Sequence, residues 1–254
     1  MRLLLTNDDG VNAKGLTILA KELEQYYDIV IVAPSSQRSA CGHSITITEP
    51  LIVKQVEIEG IKSKIYSVSG TPADCVRIAL DKLIDEKVDM VLSGINNGAN
   101  VGTDVIYSGT VSAAIEASMY KIPSMALSSH IKDGANNYEV AAKYASKILS
   151  QVENLGMKND VVLNINVPLE SEEDIKGIKV CKIGNRLYDS YFIEKISEDN
   201  HKTYSLGGKI NDYDYEDTDI YYLKRGYVTL TPLHYDLTNF KILNDVRNMF
   251  STEH

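Results

Sequence analysis

The sequence predicts an α/β protein: a Rossmann-like, doubly wound, mainly parallel sheet with an antiparallel excursion and a C-terminal extended arm. Three observations lead there. Strand-like and helix-like runs alternate over the first two-thirds of the 254 residues, the rhythm of βαβ units. Several strand runs are apolar at nearly every position, as strands covered on both faces are. Polar, glycine-containing segments follow those runs directly, where open α/β sheets gather their ligands.

Residues 2–6 read as a buried strand, and 14–27 as a helix with Leu16, Leu19, Leu23 and Tyr26 on one face. Asp28 to Pro34 is a second strand, stopped by its proline. Residues 35–44 form a polar loop, and the alternation over 45–58 and 64–68 predicts the antiparallel excursion. Thr71-Pro72 opens a helix to about Ile84, with Pro72 in its first turn. Val88 to Leu92 is a further buried strand, ending in Ser93-Gly94-Ile95-Asn96-Asn97-Gly98. A helix follows Ser108, a strand spans Ser124 to Ser128, a helix 137–152, and a strand Val161 to Val167. Beyond Pro168 the rhythm fails. Residues 185–225 are polar and Tyr-rich, which predicts an extended hairpin or arm. Tyr227 to Leu230 is a strand and 239–250 a C-terminal helix, so that 1–254 is expected to form one domain.

Charge and cysteine usage narrow the function. A net charge of −9 argues against gripping long nucleic acid through its phosphates. A small anionic substrate stays compatible, because a bound cation reverses the local field. Cys41, Cys75 and Cys181 are widely spaced and show no Cys-x-x-Cys pair, the usage of reduced thiols in a cytoplasm. No basic segment followed by a long apolar stretch opens the chain, and no apolar run approaches the ~20 residues of a membrane span. The expectation is a cytoplasmic protein with no membrane partner.

Four segments carry candidate chemistry. The first strand runs into Asp8-Asp9-Gly10. Adjacent carboxylates at a strand end call for a compensating cation. They can share one ion only if the chain turns there, which Gly10 permits; the alternative is an ordinary Asp-Gly corner. Second, Ser35 to Ser44 supplies short hydroxyls, Gly42, His43 and Arg38. Ser39 is a neutral oxygen donor and Arg38 a balance for anionic charge; the alternative is a plain Ser-rich loop. Third, Asn96 offers an amide oxygen suited to a hard metal, or only turn chemistry. Fourth, Ser108-Gly109-Thr110 opens a helix, whose free N–H groups make an anion site, although Ser108 also suits a simple N-cap. His43 and His234 are each candidate proton donors or structural residues. The chain lacks His-Glu-x-x-His, Gly-x-Ser-x-Gly and an early Gly-x-Gly-x-x-Gly, which disfavours zinc-protease, α/β-hydrolase and dinucleotide readings. Its acids are adjacent, whereas haloacid-dehalogenase-like phosphatases use Asp-x-Asp. The segments after the strands near residues 2, 29 and 88 would meet at one sheet edge.

The runs Leu5-Thr6-Asn7-Asp8-Asp9-Gly10, Arg38-Ser39 with Gly42-His43-Ser44, Gly70-Thr71-Pro72-Ala73-Asp74-Cys75-Val76, Ser93-Gly94-Ile95-Asn96-Asn97-Gly98, Val105-Ile106-Tyr107-Ser108-Gly109-Thr110-Val111 and Thr231-Pro232-Leu233-His234 lie in order along almost the whole chain. Together they closely resemble the SurE (survival protein E) family of metal-dependent 5′/3′-nucleotidases. The resemblance implies one divalent ion per subunit, Mg²⁺ or Mn²⁺, held by Asp8, Asp9, Ser39 and Asn96, with Asp8, Asp9 and Asn96 at the centre of catalysis. It implies phosphate contacts from the segments of Ser39, Gly42, His43, Ser108, Gly109 and Thr110. Nucleoside monophosphates, and in some members short polyphosphate, are the implied substrates. A homodimer or homotetramer with exchanged C-terminal arms is the implied assembly. Thr6 and Asn97 stand where serine and alanine are common in the family, and neither is an implied ligand. A nucleotide sensor without turnover would share the same sheet edge.

Overall fold

The computed structural model describes residues 1–155, 160–196 and 202–250. Part of the expected arm, 197–201, lies outside the described residues. The central sheet has nine strands: β1 (Arg2–Thr6), β2 (Asp28–Pro34), β3 (Val53–Val56), β4 (Lys64–Val68), β5 (Met90–Asn97), β6 (Ser124–Ser129), β7 (Val162–Val167), β8 (Ile178–Val180) and β11 (Val228–Leu233). Their order is β3-β4-β2-β1-β5-β6-β7-β11-β8. The six strands from β4 to β7 are parallel, with β3 and β11 antiparallel to their neighbours β4 and β7.

The alternation of side chains along each strand feeds two cores. Leu3, Leu5, Ile29 and Ile31 point to one face, where α1 (Lys14–Leu23) and α4 (Tyr138–Leu155) pack. Leu4, Val30, Val32 and Val91 point to the other, against α2 (Pro72–Ile78) and α3 (Gly109–Met119). Helix α1 presents Leu16, Leu19, Ala20 and Leu23, the spacing of a single helical stripe. Helix α2 starts on a capping box, in which Thr71 accepts from the Asp74 N–H and Asp74 from the Thr71 N–H.

Several boundaries differ from expectation. The first helix stops at Leu23, and Tyr26 is exposed rather than core. Only β3 is antiparallel in the excursion; β4 joins β2 in parallel. The second helix turns π-helical over Ala79–Leu83. Strand β5 extends to Asn97 through a register shift between Ser93 and Asn96, a bulge that glycine and asparagine had suggested was a loop. The polar stretch resolves into a long antiparallel hairpin, β9 (Arg186–Ile196) with β10 (Lys202–Asp212), followed by α5 (Asp219–Leu223). Strand β8, three residues long, was not foreseen. The last helix, α6 (Leu243–Phe250), has no buried residue. Among the described residues no helix is long and apolar enough to cross a membrane.

Candidate active site

The parallel order places β2, β1 and β5 side by side, so the segments leaving their carboxyl ends converge. At the end of β1 the buried Asn7 side chain brackets a turn. It accepts from the Gly10 N–H at 3.2 Å and donates to the Gly10 carbonyl at 2.9 Å. Gly10 sits at φ +101°, a conformation costly for any residue with a Cβ. This turn is what lets two successive carboxylates, Asp8 and Asp9, line one cavity of about 830 Å³. Ser39, from beyond β2, and Asn96, at the bulge of β5, line the same cavity. The four candidate ligands are therefore brought together.

Asp8 is 4% exposed. Burial, which the Thr110 hydroxyl bond partly offsets and Asp9 reinforces, pushes its carboxyl up to about 6. Thr110 Oγ1 donates to Asp8 Oδ1 at 2.5 Å. Asp9 accepts from the Asn97 N–H at 3.0 Å and from Gln37 Nε2 at 3.3 Å. Among the described residues, every side-chain hydrogen bond that reaches the pair comes from a neutral group. Arg38 donates instead to the Ser69 carbonyl at 2.7 Å, so it does not balance the acids. Asn96 gives its amide N–H to the Gly98 carbonyl at 2.7 Å, which leaves Oδ1 as its ligating atom. Two carboxylates and two neutral oxygens, with a buried charge lacking a cationic partner, suit a hard divalent ion that completes its shell with water and substrate. Among the described residues no group of three His, Cys, Asp or Glu could hold a metal, so the neutral oxygens of Ser39 and Asn96 would have to complete the ligand set.

The phosphate candidates divide. Ser108 lines the cavity and caps α3, its hydroxyl accepting from the Val111 N–H at 3.1 Å; the N-cap is seen, and it borders the cavity. Thr110 is buried and committed to Asp8 through side chain and backbone. Gly109 packs on Asp8; a Cβ there would lie 2.8 Å from the Asp8 Cβ. Gly109, like Thr110, is buried and outside the cavity lining. Gly42 and His43 lie outside the cavity lining. The Gly42 N–H donates to the Tyr107 carbonyl at 3.0 Å. His43 Nε2 lies 2.6 Å from Oε2 of Glu116, which is 2% exposed on its side chain and also accepts from Arg77 at 3.1 Å. These two residues fasten the Ser39 loop to α3. His234 lines a different cavity, beside Cys181.

The far wall of the cavity was missed. It consists of Asp104 and Tyr107, from the turn before α3, with Arg186, Leu187, Tyr188 and Leu206 from the hairpin. Nothing local in a polar, Tyr-rich stretch says that its root packs on the turn before α3. The one signal was the aromatic content itself.

Comparison with known proteins bears on this arrangement. Residues 3–190 match the family described as Survival protein SurE. The chain is 57% identical over 251 residues to the 5′-nucleotidase SurE of Clostridium botulinum (strain ATCC 19397 / Type A), covering 98% of this chain and 99% of that one. It is 53% identical over 250 residues to the 5′-nucleotidase SurE of Clostridium tetani (strain Massachusetts / E88), covering 98% and 100%. The crystal structure of the SurE protein from Aquifex aeolicus superposes with a TM-score of 0.85 at 37% identity, over 99% of this chain and 100% of the other.

Proposed function

The chain belongs to the SurE family, and on that footing we propose that it is a metal-dependent 5′-nucleotidase whose cavity at the end of β1 removes phosphate from nucleoside monophosphates. The observation that carries the reading is the convergence of Asp8, Asp9, Ser39 and Asn96 on one cavity, with Asp8 buried and without a cationic partner.

Those four residues would hold one divalent ion per subunit, Mg²⁺ or Mn²⁺ by the hardness of their oxygens. When bound, such an ion supplies Lewis-acid polarisation of a phosphoryl oxygen and a water of lowered pKa. The protein's own part is placement. Thr110 holds the Asp8 carboxylate rigid, and the Asn97 N–H holds Asp9. Both acids serve as fixed ligands rather than as nucleophiles that must swing toward phosphorus. The positive end of α3, which Ser108 brings to the cavity, favours a phosphoryl oxygen as charge builds there. His43 and Glu116 act at one remove, by fixing the loop that carries Ser39.

The reading extends to 3′-nucleotides and short polyphosphate, since about 830 Å³ exceeds what one phosphate fills. It extends also to one domain over 1–254, placed in the cytoplasm. A homodimer or homotetramer with exchanged arms is supported by apolar side chains left exposed on the hairpin and on α6, among them Tyr191, Phe192, Met249 and Phe250. The test is phosphate release from AMP, GMP, 3′-AMP and short polyphosphate after EDTA treatment and dialysis, with Mg²⁺ or Mn²⁺ added back. Restored turnover of the monophosphates is expected. Failure of every nucleotide to release phosphate with either ion would overturn the reading.

A further inference from the structure

The cavity has two chemically unlike ends. One carries Asp8, Asp9, Ser39, Asn96 and Ser108, all oxygen donors. The other presents the rings of Tyr107 and Tyr188 and the side chain of Leu206. These three residues are 60%, 45% and 71% exposed, large apolar surfaces left open among the described residues. Resting on the nucleotidase reading above, we propose that this second end receives the nucleoside of the substrate, its base stacking on Tyr188 and Tyr107 against Leu206 of the hairpin.

Three observations favour a base over a second phosphate. First, the cation at this wall is already spent: Arg186 pairs with Asp104 at 2.6 Å. Second, aromatic faces accept any nucleobase, because every base offers a π-face. Third, the wall is fixed in place rather than draped. Tyr188 donates its hydroxyl to the other oxygen of Asp104 at 2.5 Å, and the Thr103 hydroxyl donates to the Arg186 carbonyl at 2.5 Å. The Asp104 carbonyl accepts in turn from the N–H groups of Tyr107 at 2.9 Å and Ser108 at 3.1 Å. One short turn thus ties the aromatic wall to the residue at the phosphate end. Its geometry sets the distance between base and phosphate, so the hairpin becomes a part of substrate selection and not only of assembly.

The experiment compares AMP with ribose 5-phosphate, which keeps the phosphoester and the sugar but lacks the base. Full-length wild type, Tyr188→Ala, Tyr188→Phe and Leu206→Ala are assayed with Mn²⁺. Wild type is expected to show a lower KM for AMP than for ribose 5-phosphate. Tyr188→Ala should raise the KM for AMP about tenfold, with kcat and the ribose 5-phosphate KM little changed. Leu206→Ala should act in the same direction more weakly, and Tyr188→Phe, which keeps the ring but loses the Asp104 hydrogen bond, should fall between wild type and Tyr188→Ala. Equal losses on both substrates in Tyr188→Ala, or a phenylalanine variant as impaired as alanine, would overturn the proposal. So would a wild-type KM that ignores the base. A wild type inactive on both substrates would instead overturn the nucleotidase reading itself.

Discussion

Asp8 is held where a carboxylate is least comfortable, 4% exposed and next to a second acid. Its carboxyl is raised from 3.8 to about 6, so without a cation the folded protein holds it protonated below about pH 6. The resulting cost is absent below the unfolded value and fully present above about pH 6. Asp8→Asn should therefore abolish phosphatase activity and yet stabilise the protein in EDTA, by about 2 kcal/mol at pH 7. Melting curves from pH 4 to 8 check this: the gain over wild type should vanish near 4, grow between about 4 and 6, and level off above 6. An unchanged or lower melting temperature at pH 7 would contradict the sign. Gly109→Ala probes the same carboxylate from the other side. The new methyl would meet the Asp8 Cβ at 2.8 Å, inside van der Waals contact, and the neighbour is backbone-proximal and cannot swing away. Turnover should fall at least tenfold, because placement errors of this size are costly in catalysis. Steady-state kinetics with AMP would show it, with far-ultraviolet dichroism unchanged.

At the scale of elements, the loops matter as much as the strands they join. The loop bearing Ser39 is fastened to α3 by one buried acid: Glu116 takes His43 and Arg77 together. Glu116→Ala should cost about 2 kcal/mol, less than breaking a fully buried pair, because His43 and Arg77 are partly exposed and can hydrate. Its KM for Mn²⁺ should also rise as Ser39 loosens. Urea melts and a metal titration read the two effects separately. The strands themselves were legible because complete apolar runs such as Leu3-Leu4-Leu5 and Ile29-Val30-Ile31-Val32 suit only strands buried on both faces. The Asp8-Asp9-Gly10 turn was legible for a related reason, since acids and a glycine end such a run abruptly. Strand β5 was cut short in the reading because Gly94 and two asparagines look like a turn, and only pairing with β6 rescues them as a bulge. Likewise His43 suggested a ligand contact, because its partner Glu116 lies 73 positions away and no local pattern shows it.

For the molecule as a whole, stability and function meet in the same cation. A divalent ion that binds the fold and not the unfolded chain stabilises by about 2.7 kcal/mol at a hundredfold excess over its Kd. For a domain of this size that corresponds to a melting-temperature rise of roughly 5–10 °C. Wild type in Mn²⁺ against EDTA should show such a rise, and Asp8→Asn should show almost none. Equal shifts in both would mean that the ion binds elsewhere. The hairpin wall, by contrast, left only its aromatic content as a sign in the sequence, because packing Tyr188 beside Asp104 is decided by long-range pairing rather than by periodicity. The margins of the large sheet carry one more meaning. Its outermost strands, Val53–Val56 and Ile178–Val180, have four and three residues, and the first shows Lys54 and Gln55 to solvent. So little unpaired backbone gives a stray chain almost no template for strand addition. Fibre-like growth along the large sheet therefore has little to start from, and the long strand edges among the described residues are those of the β9–β10 hairpin, eleven residues each.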